Sequence, residues 1–331
     1  MTDTTQGGAA ETRPFDEPLA VSAVIAAGMA MGLLVPGLAD GLRSMLLPSL
    51  FVIVLASLLP FRSVAIGKLA SLNGHVVLVV LWLQGALPVL VFAGSLALDV
   101  PIAIMPYIML SACSGAVFAS PALAGLFGLD RDHAARIMIL STLLMPVSLS
   151  VFVGPMVGLD NAQAFATFGQ RVVLFLVVPG VIVFAVRAVE TMFAKRTTLV
   201  CDADCVSRLD VYATRASMLG LSVFAAAIMA GVAESAANDP GHALSLFTGA
   251  LLVNVGMMVV TRLALTPLGA AVAHTASIIA MTRNVGLAYA MTATFFGPEL
   301  AQYVALCQVP LLIGPVIVRL RNASMPATKA A

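Results

Sequence analysis

Charge is scarce in this sequence. Lys, Arg, Asp and Glu make up 10% of its 331 residues, against 60% hydrophobic residues. A soluble domain carries about 25% charged and about 45–50% apolar residues. The mean hydropathy is +1.04. So few charges cannot solvate a globular surface, which excludes a soluble fold and predicts an all-α, multi-pass membrane protein whose main partner is the lipid bilayer. A net charge of +1 removes the electrostatic case for nucleic acid. Cysteine is equally thin: Cys113, Cys201, Cys205 and Cys307 are too few and too scattered for a disulfide framework. No P-loop, no H-E-x-x-H and no G-x-S-x-G with partners occurs, so the chain offers no case for an enzyme, a metal or a cofactor. The start lacks the basic segment of a secretory signal; residues 1–17 read as a disordered cytoplasmic tail.

Apolar runs are plentiful. Broken by polar or Gly/Pro punctuation, they give ten spans, near 18–37, 43–61, 74–97, 101–127, 134–158, 169–191, 211–233, 243–266, 269–297 and 300–321. Together, residues 18–321 form one ten-helix membrane domain, and 322–331 a second cytoplasmic tail. With an even count and the N-terminus inside, nearly all Lys and Arg fall on the inner side. Only Arg43 and Arg171 fall in outer loops, and Arg283 falls within a span. That asymmetry follows the positive-inside rule and puts both termini in the cytoplasm of a bacterial inner membrane.

Spans four and nine differ from the rest. Span four contains "SACSGAVFASP", in which Ser111, Ser114, Gly115, Ser120 and Pro121 interrupt the apolar run; span nine contains "MTRN" and then Gly286. They lie five helices apart, at matching places in two five-helix halves. Because five is odd, the second half is inverted. Interrupted segments at matching positions of inverted halves point to a transporter's binding site, although small residues also serve close helix packing. Two unwound points meeting there would present free N–H groups at half-helix starts.

Arg283 is the sharpest single feature. Arginine keeps its proton, and at mid-membrane it costs about 2.5–3.5 kcal/mol on insertion scales. All sixteen acidic residues fall in tails, loops or span ends, so no carboxylate is available at that depth. Either the cation faces an anionic substrate or a watery cavity, or backbone carbonyls and amides such as Asn284, Gln84 or Asn254 hold it, or it lies near an interface.

The stretches "SACSGAVFASPALAGL", "STLLMP" and "RNVGLAYAMTATFFGPELA" resemble the bile acid:sodium symporter family and its superfamily, which includes the arsenite permeases. The resemblance covers most of the chain. It implies a panel and a core domain, discontinuous helices four and nine that cross, and sodium-coupled uptake of organic anions. Its sodium chemistry is mostly missing here. The ninth-helix pattern E-x-G-x-Q-N falls on Ile279, Met281, Arg283 and Asn284; a Ser-Asn pair falls on Ser120 and Pro121; two hydroxyl ligands fall on Ala134 and Met138. At least one sodium site is therefore expected to be absent, with Arg283 supplying fixed charge nearby. The arsenite permeases' fourth-helix cysteine falls on Cys113, but their ninth-helix glutamate falls on Gly286. Cys113 thus reads either as a thiolate ligand or as a small buried residue.

The resulting expectation is a secondary transporter moving a small or amphipathic organic anion by alternating access. The binding set is Arg283, Asn284, Thr282, Ser114, Ser120, Ser111, Cys113, Gln84 and Asn254. An arsenite efflux permease, or a non-transporting receptor on the same fold, is the alternative. "CDADC" at 201–205 reads as a reduced, solvated loop, since C-x3-C lacks a second ligand pair.

Overall fold

The computed structural model describes residues 18–59, 73–118, 120–196, 203–297 and 299–309. The two tails, the inner-side residues Arg62 and Lys68, and Cys201 lie outside them. Among the described residues the chain is 85% helical with no strand. Six helical runs among the described residues are long and apolar enough to cross a membrane: Pro36–Leu58, Gly74–Ala97, Arg131–Phe152, Asn161–Val189, Arg215–Asn238 and Pro240–Leu268. Two shorter apolar helices, Ala23–Leu34 and Ala270–Met281, accompany them.

The first run of chain is α1 (Pro18–Leu34), then α2 (Pro36–Leu42), which passes through a tight turn at Arg43–Met45 into α3 (Leu46–Leu58). Next, α4 (Gly74–Leu81) and α5 (Leu87–Ala97) are joined by a π-turn at Trp82–Ala86. The short helices α6 (Met105–Cys113) and α7 (Ser120–Leu126) follow, and then the long α8 (Arg131–Phe152). A second π-turn, Val173–Val177, joins α9 (Asn161–Val172) to α10 (Val178–Arg196). The remainder is α11 (Ala203–Ile228), α12 (Val232–Asn238), α13 (Pro240–Leu265), α14 (Ala270–Met281), α15 (Val285–Thr292) and α16, residues 299–309.

Three carboxylates begin helices. Asp130 accepts from the N–H groups of Asp132 and His133, Asp160 from Gln163 and Asp239 from His242, at 2.8–3.1 Å. Each satisfies donors that a helix start leaves unpaired.

Packing sorts the helices into two groups. In one, α11 packs against α1 and α3, and α10 against α3. Gly28 and Gly32 make the α1–α11 approach possible. A Cβ on either would sit 2.6 or 2.4 Å from the Ser222 or Ala226 carbonyl oxygen, the small-xxx-small packing that membrane helices use. In the other group α8 packs on α4, α6, α7 and α9, while α13 packs on α6 and α14. The continuous run Asn161–Val189 bridges the two groups. It also sets Arg171, counted with the outer-loop charges although it falls just inside the expected span 169–191, well within a helix. There its guanidinium donates to Ala290 O (3.3 Å), Met291 O (2.7 Å) and Thr294 Oγ1 (2.9 Å). The cation closes the C-terminal end of α15, where carbonyls lack helical partners and the dipole is negative.

Candidate functional site

Two helices are broken at the places where the sequence turns polar. Between α6 and α7 the backbone leaves helical geometry at Ser114, whose φ and ψ are −62° and 150°. Between α14 and α15 it does so at Thr282 (−101°, 69°) and Asn284 (−81°, 63°). The two unwound stretches run antiparallel and pair, Ala116 opposite Arg283. Asn284 N–H donates to Gly115 O at 2.8 Å and Val117 N–H to Thr282 O at 3.2 Å. At membrane depth an unpaired peptide group costs several kcal/mol, so irregular backbone persists only where protein satisfies it.

Helix α8 supplies the remaining partners. Ser141 Oγ accepts from Ala116 N–H at 3.1 Å, and Met145 Sδ from Gly115 N–H at 3.0 Å. The close approach requires glycine at 115: a Cβ there would lie 2.9 Å from both Cα and Oγ1 of Thr142. Ser141 and Met145 stand in the quoted stretch "STLLMP" but were not expected among the site residues; their i, i+4 spacing ahead of Pro146 puts both on one face of α8.

Arg283 is 4% exposed. Its Nη1 donates to Ser114 O at 2.7 Å and its Nη2 to Leu83 O at 2.9 Å. Among the described residues no carboxylate pairs with it, and Nε has no hydrogen-bond partner. Ser114 O terminates α6, so the guanidinium sits at the negative end of that half-helix. Gln84 Nε2 donates to the same carbonyl at 3.0 Å. Ser148 Oγ in turn holds Gln84 O at 2.9 Å.

A cavity of about 250 Å³ lies where the two helix groups face each other over this junction. Val117, Phe118 and the run from Arg283 to Gly286 line one side; Leu50, Ser57, Ser217, Phe224 and neighbours from α1, α3 and α11 line the other, with Gln308 of α16. Asn284 caps α15, its Oδ1 accepting from Leu287 N–H at 3.1 Å. The N–H groups of Val285 and Gly286, first in that helix, have no helical partner, and both residues line the cavity. Arg283 and the start of α15 share one wall, and Ser57, Ser217 and Gln308 put polar side chains among the apolar residues opposite. Ser57, Ser217, Phe224 and Gln308 are ordinary residues of apolar spans, and nothing in the sequence marked them.

Of the residues expected to bind, Arg283 and Asn284 reach this cavity. The hydroxyls of Ser114, Ser120 and Thr282 donate to Leu110 O, Val117 O and Ile278 O at 2.6–2.8 Å. They serve the breaks themselves. Ser111 Oγ donates to Tyr303 OH at 3.1 Å. Cys113 is fully buried in the apolar core beside Met109 and Met145. Gln84 reaches the junction through Ser114 O, and Asn254 Nδ2 donates to Ala250 O within α13 at 2.7 Å.

Fold and site define a multi-pass helical membrane protein with two broken helices joined at a buried arginine. No protein-family model matches the chain, and no curated protein matches it.

Proposed function

We propose that this chain is a secondary transporter of the bile acid:sodium symporter type, moving a small or amphipathic organic anion by alternating access. In this reading ten helices form two inverted five-helix halves in a bacterial inner membrane, with both termini in the cytoplasm. The observation that supports it is a cavity between two helix groups whose wall includes the start of α15 and Arg283, a residue whose buried guanidinium pairs with no carboxylate among the described residues. A buried cation without a partner acid is costly, and an anion arriving at Val285 and Gly286 N–H would offset that cost. A volume of about 250 Å³ lies just below the usual range for ligand pockets. It holds a small anion, or the head group of a longer one.

Sodium coupling is altered or absent in this proposal. Sodium needs hard oxygen donors, and the positions that resemble the family's ligands are Ile279, Pro121, Ala134 and Met138. Ile279, Ala134 and Met138 are buried in an apolar cluster. Carbonyls that would suit a small cation, Ser114 O and Leu83 O, already accept from Arg283.

Uptake of labelled organic anions into proteoliposomes, with and without a sodium gradient, tests both parts. Saturable uptake that ignores sodium supports them. Anion binding without flux would make the chain a receptor on this fold, and neither binding nor flux would remove the reading.

A further inference from the structure

A second cavity, of about 650 Å³, shares no lining residue with the first. It lies between the π-turn Trp82–Ala86 with the start of α5 and the outer face of α8. Its walls include Leu81, Val89 and Val151, which are 57%, 51% and 51% exposed. Both helical runs are among those fit to cross a membrane, so this groove opens onto bilayer hydrocarbon.

One polar residue in it stands out. Gln84 is 7% exposed, and it occupies the middle of the Gly74–Ala97 run. Its Nε2 donates to Ser114 O, so turning the amide over would set two acceptors face to face, and the orientation is fixed. Oε1 therefore remains an acceptor, buried and without a partner among the described residues. The groove's other polar side chain, Ser148, spends its proton on Gln84 O. Gln84 is part of the groove wall and its terminal torsion is soft; Oε1 is buried as it stands, so binding there requires a turn of the amide that brings it to the wall.

We infer that this groove binds a neutral, single-chain amphiphile from the bilayer through a hydroxyl donated to Gln84 Oε1. The charge complement is specific: an uncharged apolar slot with one partial negative charge at mid-membrane depth accepts one donor and rejects a charged head group. The site stands independently of the transport reading. It touches the junction all the same, because Gln84 and Arg283 share the Ser114 carbonyl.

Trp82, the chain's single tryptophan, lines the groove and reports on it. The experiment adds a brominated long-chain primary alcohol, or its methyl ether of equal length, to the full chain in proteoliposomes and follows Trp82 emission. The alcohol should quench saturably, at a half-quenching concentration about ten-fold below that of the ether, the size of one buried hydrogen bond. In Gly85→Phe the ring grows into the groove, since a Cβ at Gly85 meets nothing within 4 Å. That variant should keep its thermal stability and lose the alcohol's advantage. Equal quenching by alcohol and ether, quenching that rises without saturating, or an advantage that survives Gly85→Phe would overturn the inference.

Discussion

The guanidinium of Arg283 and the carbonyl of Ser114 stand 2.7 Å apart, Nη1 to oxygen, across 169 residues of chain. This contact ties the second helix break to the end of the half-helix before the first. The fork geometry of arginine lets the same group reach Leu83 O at 2.9 Å. One side chain therefore links α6, the π-turn of the third apolar run and the stretch between α14 and α15.

Replacing Arg283 tests that tie. In Arg283→Ala, Leu83 O loses its donor and Ser114 O keeps only Gln84. The loss of two charge-assisted bonds, partly offset by relief from burying a cation, should destabilise the protein by roughly 1–3 kcal/mol. Arg283→Lys retains charge but not the fork, so its loss should be smaller. Unfolding in detergent micelles measures both. An alanine variant as stable as the parent would show that the tie contributes nothing.

Gly115 gives a steric test of the same junction. A Cβ there meets backbone and side chain of Thr142 at 2.9 Å, whereas one at Gly94 in α5 meets nothing within 4 Å. Gly115→Ala should therefore cost about 1–3 kcal/mol through overpacking. Gly94→Ala should be neutral or stabilising by up to about 1 kcal/mol, as expected where alanine replaces glycine in an open helix. Equal behaviour of the two variants in thermal unfolding would mean that α8 does not press on the break.

How much of this was legible in the sequence depends on the kind of group involved. The breaks were legible, because Ser114, Gly115, Thr282 and Asn284 interrupt otherwise apolar runs. Arg283 was conspicuous as a cation with no acid at its depth. What it faces was not legible, because its partners are backbone carbonyls, and every residue has one. Residue type equally hid that the hydroxyls of Ser114, Ser120 and Thr282 turn back onto their own chain, as short hydroxyl side chains do at helix ends. Arg171 read as an outer-side charge because it stands at the edge of the expected span 169–191, where boundaries carry an error of a few residues. In the structure it lies within a continuous helix and closes the end of α15. The far wall of the cavity, with Ser57, Ser217 and Gln308, depends on long-range packing that no local pattern encodes.

Sodium should matter little. Exchange of sodium for potassium at constant ionic strength should leave both melting temperature and anion uptake unchanged. The residues at the resembling positions carry no side-chain oxygen at Ile279, Pro121, Ala134 or Met138, and Arg283 holds the nearby carbonyls. A steep sodium requirement for uptake would defeat this expectation and would call for a cation site built elsewhere in the chain.

Alternating access requires the α1, α3 and α11 group to move against the junction, and Phe224 with Gly286 offers a way to stop it. The Phe224 ring carbon Cζ lies 3.2 Å from where a Cβ on Gly286 would sit. Removing the ring makes room for the new side chain, so Phe224→Cys with Gly286→Cys places two thiols across the cavity. Cys113 and Cys307 are buried and free; Cys201 and Cys205 would be replaced by serine. A short cleavable bis-alkylating spacer should abolish uptake, and cleaving it should restore uptake. The spacer also occupies the cavity beside Gly286 and Phe224, so anion-induced stabilisation should fall together with uptake and return with it on cleavage. Undiminished flux through a fully cross-linked protein would mean that the two helix groups do not separate during transport, and the proposed movement would fail even if the anion site were real.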